Sequence, residues 1–130
     1  MNTRTFLTIA MLANLIYGCW YFLAPQGAAN AYGFGAATTE LSNLIFQFLG
    51  IMFIAEGVMC AVARQAENSL GRIAVLAFIS ISSLLCFYMD IKTLLGEPGT
   101  LDYIDTVVNA LFGFGALTIL IRDRKTQPPH

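Results

Sequence analysis

The chain has 130 residues, of which 57% are hydrophobic and only 12% charged, with a formal net charge of −1. That length suits one domain, the charged share is about half the usual ~25%, and a mean hydropathy of +0.67 points to a chain embedded in lipid. Without a cationic excess there are no counterions to release onto a basic face, which excludes nucleic-acid binding of that kind; three cysteines with no C-x-x-C spacing exclude a disulfide scaffold and a zinc site.

Four apolar segments are each long enough to cross a hydrocarbon core of about 30 Å, which takes roughly 20 helical residues. They run from Thr5 to Leu23, Ser42 to Ala63, Leu70 to Leu95 and Tyr103 to Ile121. Helix is the spanning state, because in lipid every backbone N–H and C=O must find its partner within its own segment. The expected fold is therefore all-α: a polytopic, antiparallel bundle of four transmembrane helices. It forms a single domain over residues 1–125, followed by a disordered tail at 126–130 with an inert His130.

Arg4 followed by an apolar run, with Ala29-Asn30-Ala31 beyond it, has the outline of a secretory signal. The run is longer than a signal core and carries Tyr17, Trp20 and Tyr21, so it reads as a mature helix. The segment from Pro25 to Leu41 is rich in Gly and Ala, with Tyr32 and Phe34. It reads as a surface segment, a lid on the bundle, or a plain linker. Residues Arg64 to Ser69 form a short turn that makes the second and third spans neighbours. Gly96-Glu97-Pro98-Gly99 is a second turn, after which Thr100 can cap the fourth span with Asp102 in its first turn.

Orientation follows from the cations. With both termini inside, Arg4, Arg64, Arg72, Arg122, Arg124 and Lys125 share one side and only Lys92 lies on the other. Glu40, Glu97 and Asp102 then face outward, and Trp20, Tyr21, Tyr32 and Tyr103 fall near the outer boundary. The expected location is a bacterial inner (plasma) membrane, with both termini cytoplasmic.

Polar residues inside the spans carry the functional signal, since burying them is expensive. Glu56 lies near the middle of the second span, where an acid costs about 3 kcal/mol on the insertion scale. Each apolar neighbour returns roughly 0.3–0.6 kcal/mol, so insertion remains feasible. A neutral, hydrogen-bonding carboxyl is expected, with Asn14 at similar depth as its partner. It serves either as a proton- or cation-coupled group or, the favoured reading, as an interhelical fastener. In the outer half, Asn14, Tyr17, Gly18 and Tyr21 form a helical stripe on the first span. Ser80, Ser83, Phe87 and Asp90 form one on the third, and Asp105, Asn109, Gly113 and Ala116 one on the fourth. Gln47 reaches the same depth. Such faces pack helices together, and here Tyr17, Tyr21, Gln47, Ser83, Asp90, Asp105 and Asn109 are also the candidate site for a cation or the polar head of a lipophilic molecule. Gln47 and Glu56 point to nearly opposite sides of one helix, which favours a contact with another subunit. Cys19, Cys60 and Cys86 read as buried small apolar residues rather than a redox pair.

Phe22-Leu23-Ala24-Pro25, Ala31-Tyr32-Gly33-Phe34, and Leu49-Gly50-Ile51 through Glu56-Gly57 resemble the DoxX-like group of small bacterial four-helix membrane proteins. The Arg often found in that group before the second-span Gly is absent, and Ser42-Asn43 and Gln47 stand in that region. The resemblance implies fold more than function. Small multidrug exporters also have four helices and a membrane glutamate, but in the first span, where this chain has Asn14. No Ser–His pair, metal cluster or haem-ligating histidine is visible, so the chain is expected to be non-enzymatic, with no cofactor. Its expected partners are membrane lipids and other membrane subunits, or copies of itself. The reading that follows is an accessory subunit of a membrane complex or a binder of a lipophilic small molecule. The alternative is a proton-coupled small transporter or channel using Glu56.

Overall fold

The computed structural model describes residues 2–34, 39–66, 69–96 and 99–125. The described residues form five helices: α1 (Thr3–Leu23), α2 (Pro25–Ala31), α3 (Glu40–Ala63), α4 (Leu70–Leu94) and α5 (Thr100–Lys125). Four of them, all but α2, are long and apolar enough to cross a membrane. The expected tail at 126–130 and residues Glu97 and Pro98 of the expected turn lie outside the described residues.

Helices α1, α3 and α5 start two or three residues before the apolar segments, and α4 starts at Leu70 as expected; polar residues mark these starts. Asn2 accepts from Arg4 N at 3.1 Å. Thr39 and Ser42 form a reciprocal capping box at α3, and Ser69 accepts from Arg72 N at 3.3 Å. Asp102 reaches back to accept from Gly99 N at 2.6 Å at the start of α5. Pro25 ends α1, since the residue before a proline is pushed out of the helical region, and Ala24 sits at φ −133°, ψ 57°.

Residues 25–31, the start of the Pro25–Leu41 segment, are helical. Pro25 opens α2 at a position where its missing N–H costs nothing. Gly33, at φ +82°, closes it in a Schellman motif: Gly33 N donates to Asn30 O and Phe34 N to Ala29 O, at 3.0 and 3.1 Å. The motif fixes Tyr32 at the helix end. α2 buries Ala28 and Ala29 completely.

Packing runs in two tight pairs, α1 with α3 and α4 with α5, and contacts between the pairs are sparser. Glycine makes the close approach possible. A Cβ on Gly50 would come within 2.7 Å of Phe22 N and 2.8 Å of Gly18 O, so α1 and α3 meet backbone to backbone. Gly57, two turns on, receives Leu15. In the other pair Gly113 receives Leu84, and Ser80 Oγ donates to Gly113 O at 3.2 Å. The Ser80 and Gly113 stripes thus do pack α4 on α5.

Two clusters fill the interior. An apolar core centred on Phe6, Leu7, Leu76, Ile79 and Ala116 occupies the half nearer the N-terminus. An aromatic cluster of Tyr21 and Phe46, with Tyr17, Trp20, Tyr32 and Phe53 against it, occupies the other half. Outside these the long helices are bare: Ile16 is 68% exposed, Phe48 61%, Leu85 62% and Leu111 68%. Side chains of this kind facing water would cost 1.5–3 kcal/mol each relative to burial, so the outer surface matches a hydrocarbon solvent.

Candidate functional site

Between the two clusters lies a cavity of about 100 Å³ lined by α1, α3, α4 and α5. Its floor carries Ile79 and Phe112 from the apolar core, and its roof Tyr17, Tyr21 and Phe53 from the aromatic cluster. Polar groups enter from every wall: Asn14 from α1, Glu56 from α3, Ser83 from α4, and Asp105 and Asn109 from α5. Of the nine residues singled out from sequence, seven therefore share one cavity.

Asp105 is the best-held of them. Tyr17 OH donates to Oδ1 at 3.1 Å, and Tyr32 OH donates to Oδ2 in a short hydrogen bond. Tyr21 OH is hydrogen-bonded to Tyr32 OH, which completes a chain Tyr21–Tyr32–Asp105. Edge-to-face contacts brace the donors: Tyr21 packs against Tyr32, Phe46 and Phe53 with centroids 6.0, 5.2 and 5.6 Å apart. Desolvation, then the bonds to Asp105 and Tyr21, push the Tyr32 phenol well above the ordinary tyrosine range, so it stays a proton donor at neutral pH. Residues 25–34 thus pack against the bundle, with the C-terminal end of α2 tied to α5 through the Tyr32 hydroxyl.

Asp90 stands one step back. It does not line the cavity but accepts from Asn109 Nδ2 at 2.8 Å, so it orients a residue that does. Gln47 does not line the cavity either. Asn14 and Glu56 both face the cavity, yet the Asn14 amide donates to Ala10 O at 3.0 Å, the turn before it, rather than to the carboxyl. No hydrogen bond joins the Glu56 carboxyl to the described residues. Cys60 is buried as expected, whereas Cys19 and Cys86 are exposed, Cys86 also touching the cavity. Both lie on spans whose exposed side chains are largely apolar, and a thiol there acts as a small hydrophobe. Among the described residues no group of three His, Cys, Asp or Glu gathers to hold a metal.

Sequence reasoning missed Tyr32 as a partner of Asp105, although a Tyr immediately before Gly33 is a helix-end signal. It also missed a second polar cluster at the other end. There Asp123, 6% exposed, accepts from Arg72 Nη2 at 3.1 Å, Arg122 Nη2 at 3.0 Å and Thr3 Oγ1 at 3.2 Å. Arg72 Nη1 donates to Ala66 O at 3.1 Å. The cluster ties α1, α4 and α5 together and reaches Ala66 beyond the end of α3. Flanked by arginines near the chain end, Asp123 looks in sequence like part of a solvated tail.

The chain matches no family model, no curated protein and no solved structure. The cavity itself therefore carries the functional argument.

Proposed function

We propose that the protein is a non-enzymatic integral membrane protein that binds a lipophilic small molecule with a polar head, as an accessory subunit or carrier. The observation that carries this is the four-helix cavity with apolar floor and aromatic roof, into which Glu56, Asn14, Ser83, Asp105 and Asn109 project. Its volume is set against an engineered cavity of ~150 Å³ that takes benzene. At about 100 Å³ it is smaller and suits a polar head of a few heavy atoms, with the remainder leaving through the sparsely packed seam between the helix pairs. Tyr17 and Asn109 would meet the head, and Phe53, Ile79 and Phe112 its apolar part.

The architecture in this reading is an antiparallel bundle with both termini cytoplasmic in a bacterial inner membrane. Support comes from the gathering of Arg72, Arg122 and Thr3 at one end, against Lys92 over the Tyr88 ring at 4.7 Å near the C-terminal end of α4. Kinship with the DoxX-like group fits this arrangement and is proposed on the same residues as before. Gln47, off the cavity and on a helix with much exposed apolar surface, is assigned to a contact with another subunit or a second copy.

The test is to purify the protein from its native membrane and analyse an organic extract by mass spectrometry. The expected result is one lipophilic compound near equimolar amount, lost in Ser83→Leu, which fills the cavity. A ligand-free wild-type protein overturns the reading.

One observation favours a second reading, a proton-coupled small transporter: the Glu56 carboxyl faces the cavity without a hydrogen bond to the described residues. In reconstituted vesicles, pH-dependent transport that Glu56→Gln abolishes supports it, and unchanged pH dependence removes that role.

A further inference from the structure

The end of the bundle opposite Asp105 carries a second concavity, of about 340 Å³, between the end of α3 and the start of α4. Its walls are apolar, with Val58, Met59 and Val62 from α3 and Val75 from α4. It ends on polar ground at Ser69, Gly71 and Arg72. There α4 begins, and the N–H groups of Leu70 and Gly71 have no acceptor within their own helix. A Cβ on Gly71 would meet only Ser69 Oγ, at 3.8 Å, so a ligand atom can come up to the backbone.

Charge at this end is positive. The Asp123 carboxylate is set against two guanidinium groups, Arg72 and Arg122. Arg72 has both terminal nitrogens engaged, but its Nε is buried without a partner among the described residues. Arg64, next in the chain to the lining Ala63, also has a buried Nε without a partner among the described residues. Unfilled cationic donors beside an apolar trough fit a molecule that carries an anion at one end and a hydrocarbon chain at the other.

We propose that this concavity holds one anionic phospholipid, its phosphate at Gly71–Arg72 and an acyl chain along Val58, Val62 and Val75. The dimensions agree: Ser69 to Val75 covers about 9 Å of helical rise, over half of the ~15 Å depth of one leaflet. Basic pockets between spans on the cytoplasmic side are where anionic head groups are bound, and this is the cation-rich end of the chain. The proposal draws on the membrane reading alone and is independent of what occupies the cavity beneath Tyr21.

The test uses the full chain in nanodiscs of equal parts phosphatidylglycerol and phosphatidylcholine, with retained lipid counted by native mass spectrometry. Wild type is expected to keep phosphatidylglycerol over phosphatidylcholine by roughly tenfold or more. Gly71→Phe, which fills the polar end without changing charge, and Arg64→Gln should each bring the ratio towards one. Asp105→Asn should leave it as it was. Arg72→Gln should also abolish the preference, and if that variant does not fold the other two decide. Equal retention of both lipids by wild type, or an undiminished preference in Gly71→Phe, overturns the site. Those outcomes are distinct from a chain that stays monomeric in water without detergent, which would overturn the membrane reading instead.

Discussion

At the scale of single residues, the two buried aspartates hold different things. Asp105 holds the end of α2 to α1 and α5, because two tyrosine hydroxyls from α1 and the α2 end converge on it. Hydrogen bonds to a charged group are worth about 1.5–3 kcal/mol each. Asp105→Ala should therefore lower stability by about 3–6 kcal/mol and raise amide exchange across residues 25–34, measured by hydrogen–deuterium exchange in micelles. The Tyr32 phenol adds a pH dependence of defined sign. Its folded value is raised, so its contribution is complete below about pH 10, the unfolded value, and is lost only as pH climbs towards the higher folded value. Tyrosinate absorbance should show at least one tyrosine that fails to titrate near pH 10 in wild type, and one fewer such residue in Tyr32→Phe. Asp123 holds the opposite end. Removing one partner of a buried pair leaves an uncompensated charge, so Asp123→Ala should cost about 3–5 kcal/mol in chemical denaturation. Asp123→Asn, which keeps acceptors for Thr3 and Arg72, should cost less.

At the scale of elements, the glycine contacts decide which helices pair. Gly18 and Gly50 let α1 and α3 touch through their backbones, and nothing there can yield to a new side chain. Gly50→Val should cost about 1–3 kcal/mol or more through overpacking, read as a lower denaturation midpoint. At Gly27, where a Cβ would meet only Ala24 Cβ at 3.8 Å, Gly27→Ala should be neutral or slightly stabilising. The four long helices were legible from sequence because a 20-residue apolar run in lipid leaves the backbone only one way to satisfy itself. Helix α2 was not, because seven residues of Pro, Gln, Gly, Ala and Asn carry no apolar period. Its existence depends on Pro25 at one end, Gly33 at the other, and burial of Ala28 and Ala29 in between. The cavity was legible in part. Helical spacing placed Asn14, Tyr17, Ser83, Asp105 and Asn109 on inward faces, but it could not distinguish Gln47 and Asp90 from them. That distinction depends on helix rotation and on which neighbour takes each hydrogen bond.

At the scale of the whole molecule, the interior is too small to account for the chain's apolar content. Large hydrophobics such as Leu23, Leu41, Val62 and Leu95 remain 65–84% exposed, and the two helix pairs meet along a sparsely packed seam. A surface of that kind is stable where hydrocarbon is the solvent, and in the proposed reading the seam is where a lipophilic ligand enters the Asp105 cavity. In this reading reporters fused to the two termini should both signal from the cytoplasm, and a reporter in the 35–38 segment from the other side. Opposite sides for the two termini would contradict the topology. The most direct measurement of the central claim is an experimental density map of the particle extracted from its native membrane. The expected result is continuous density in the cavity, with its polar end near Tyr17 and Asp105 and its tail leaving between the helix pairs. A cavity holding only isolated water peaks, or collapsed shut around Phe53 and Phe112, would contradict it.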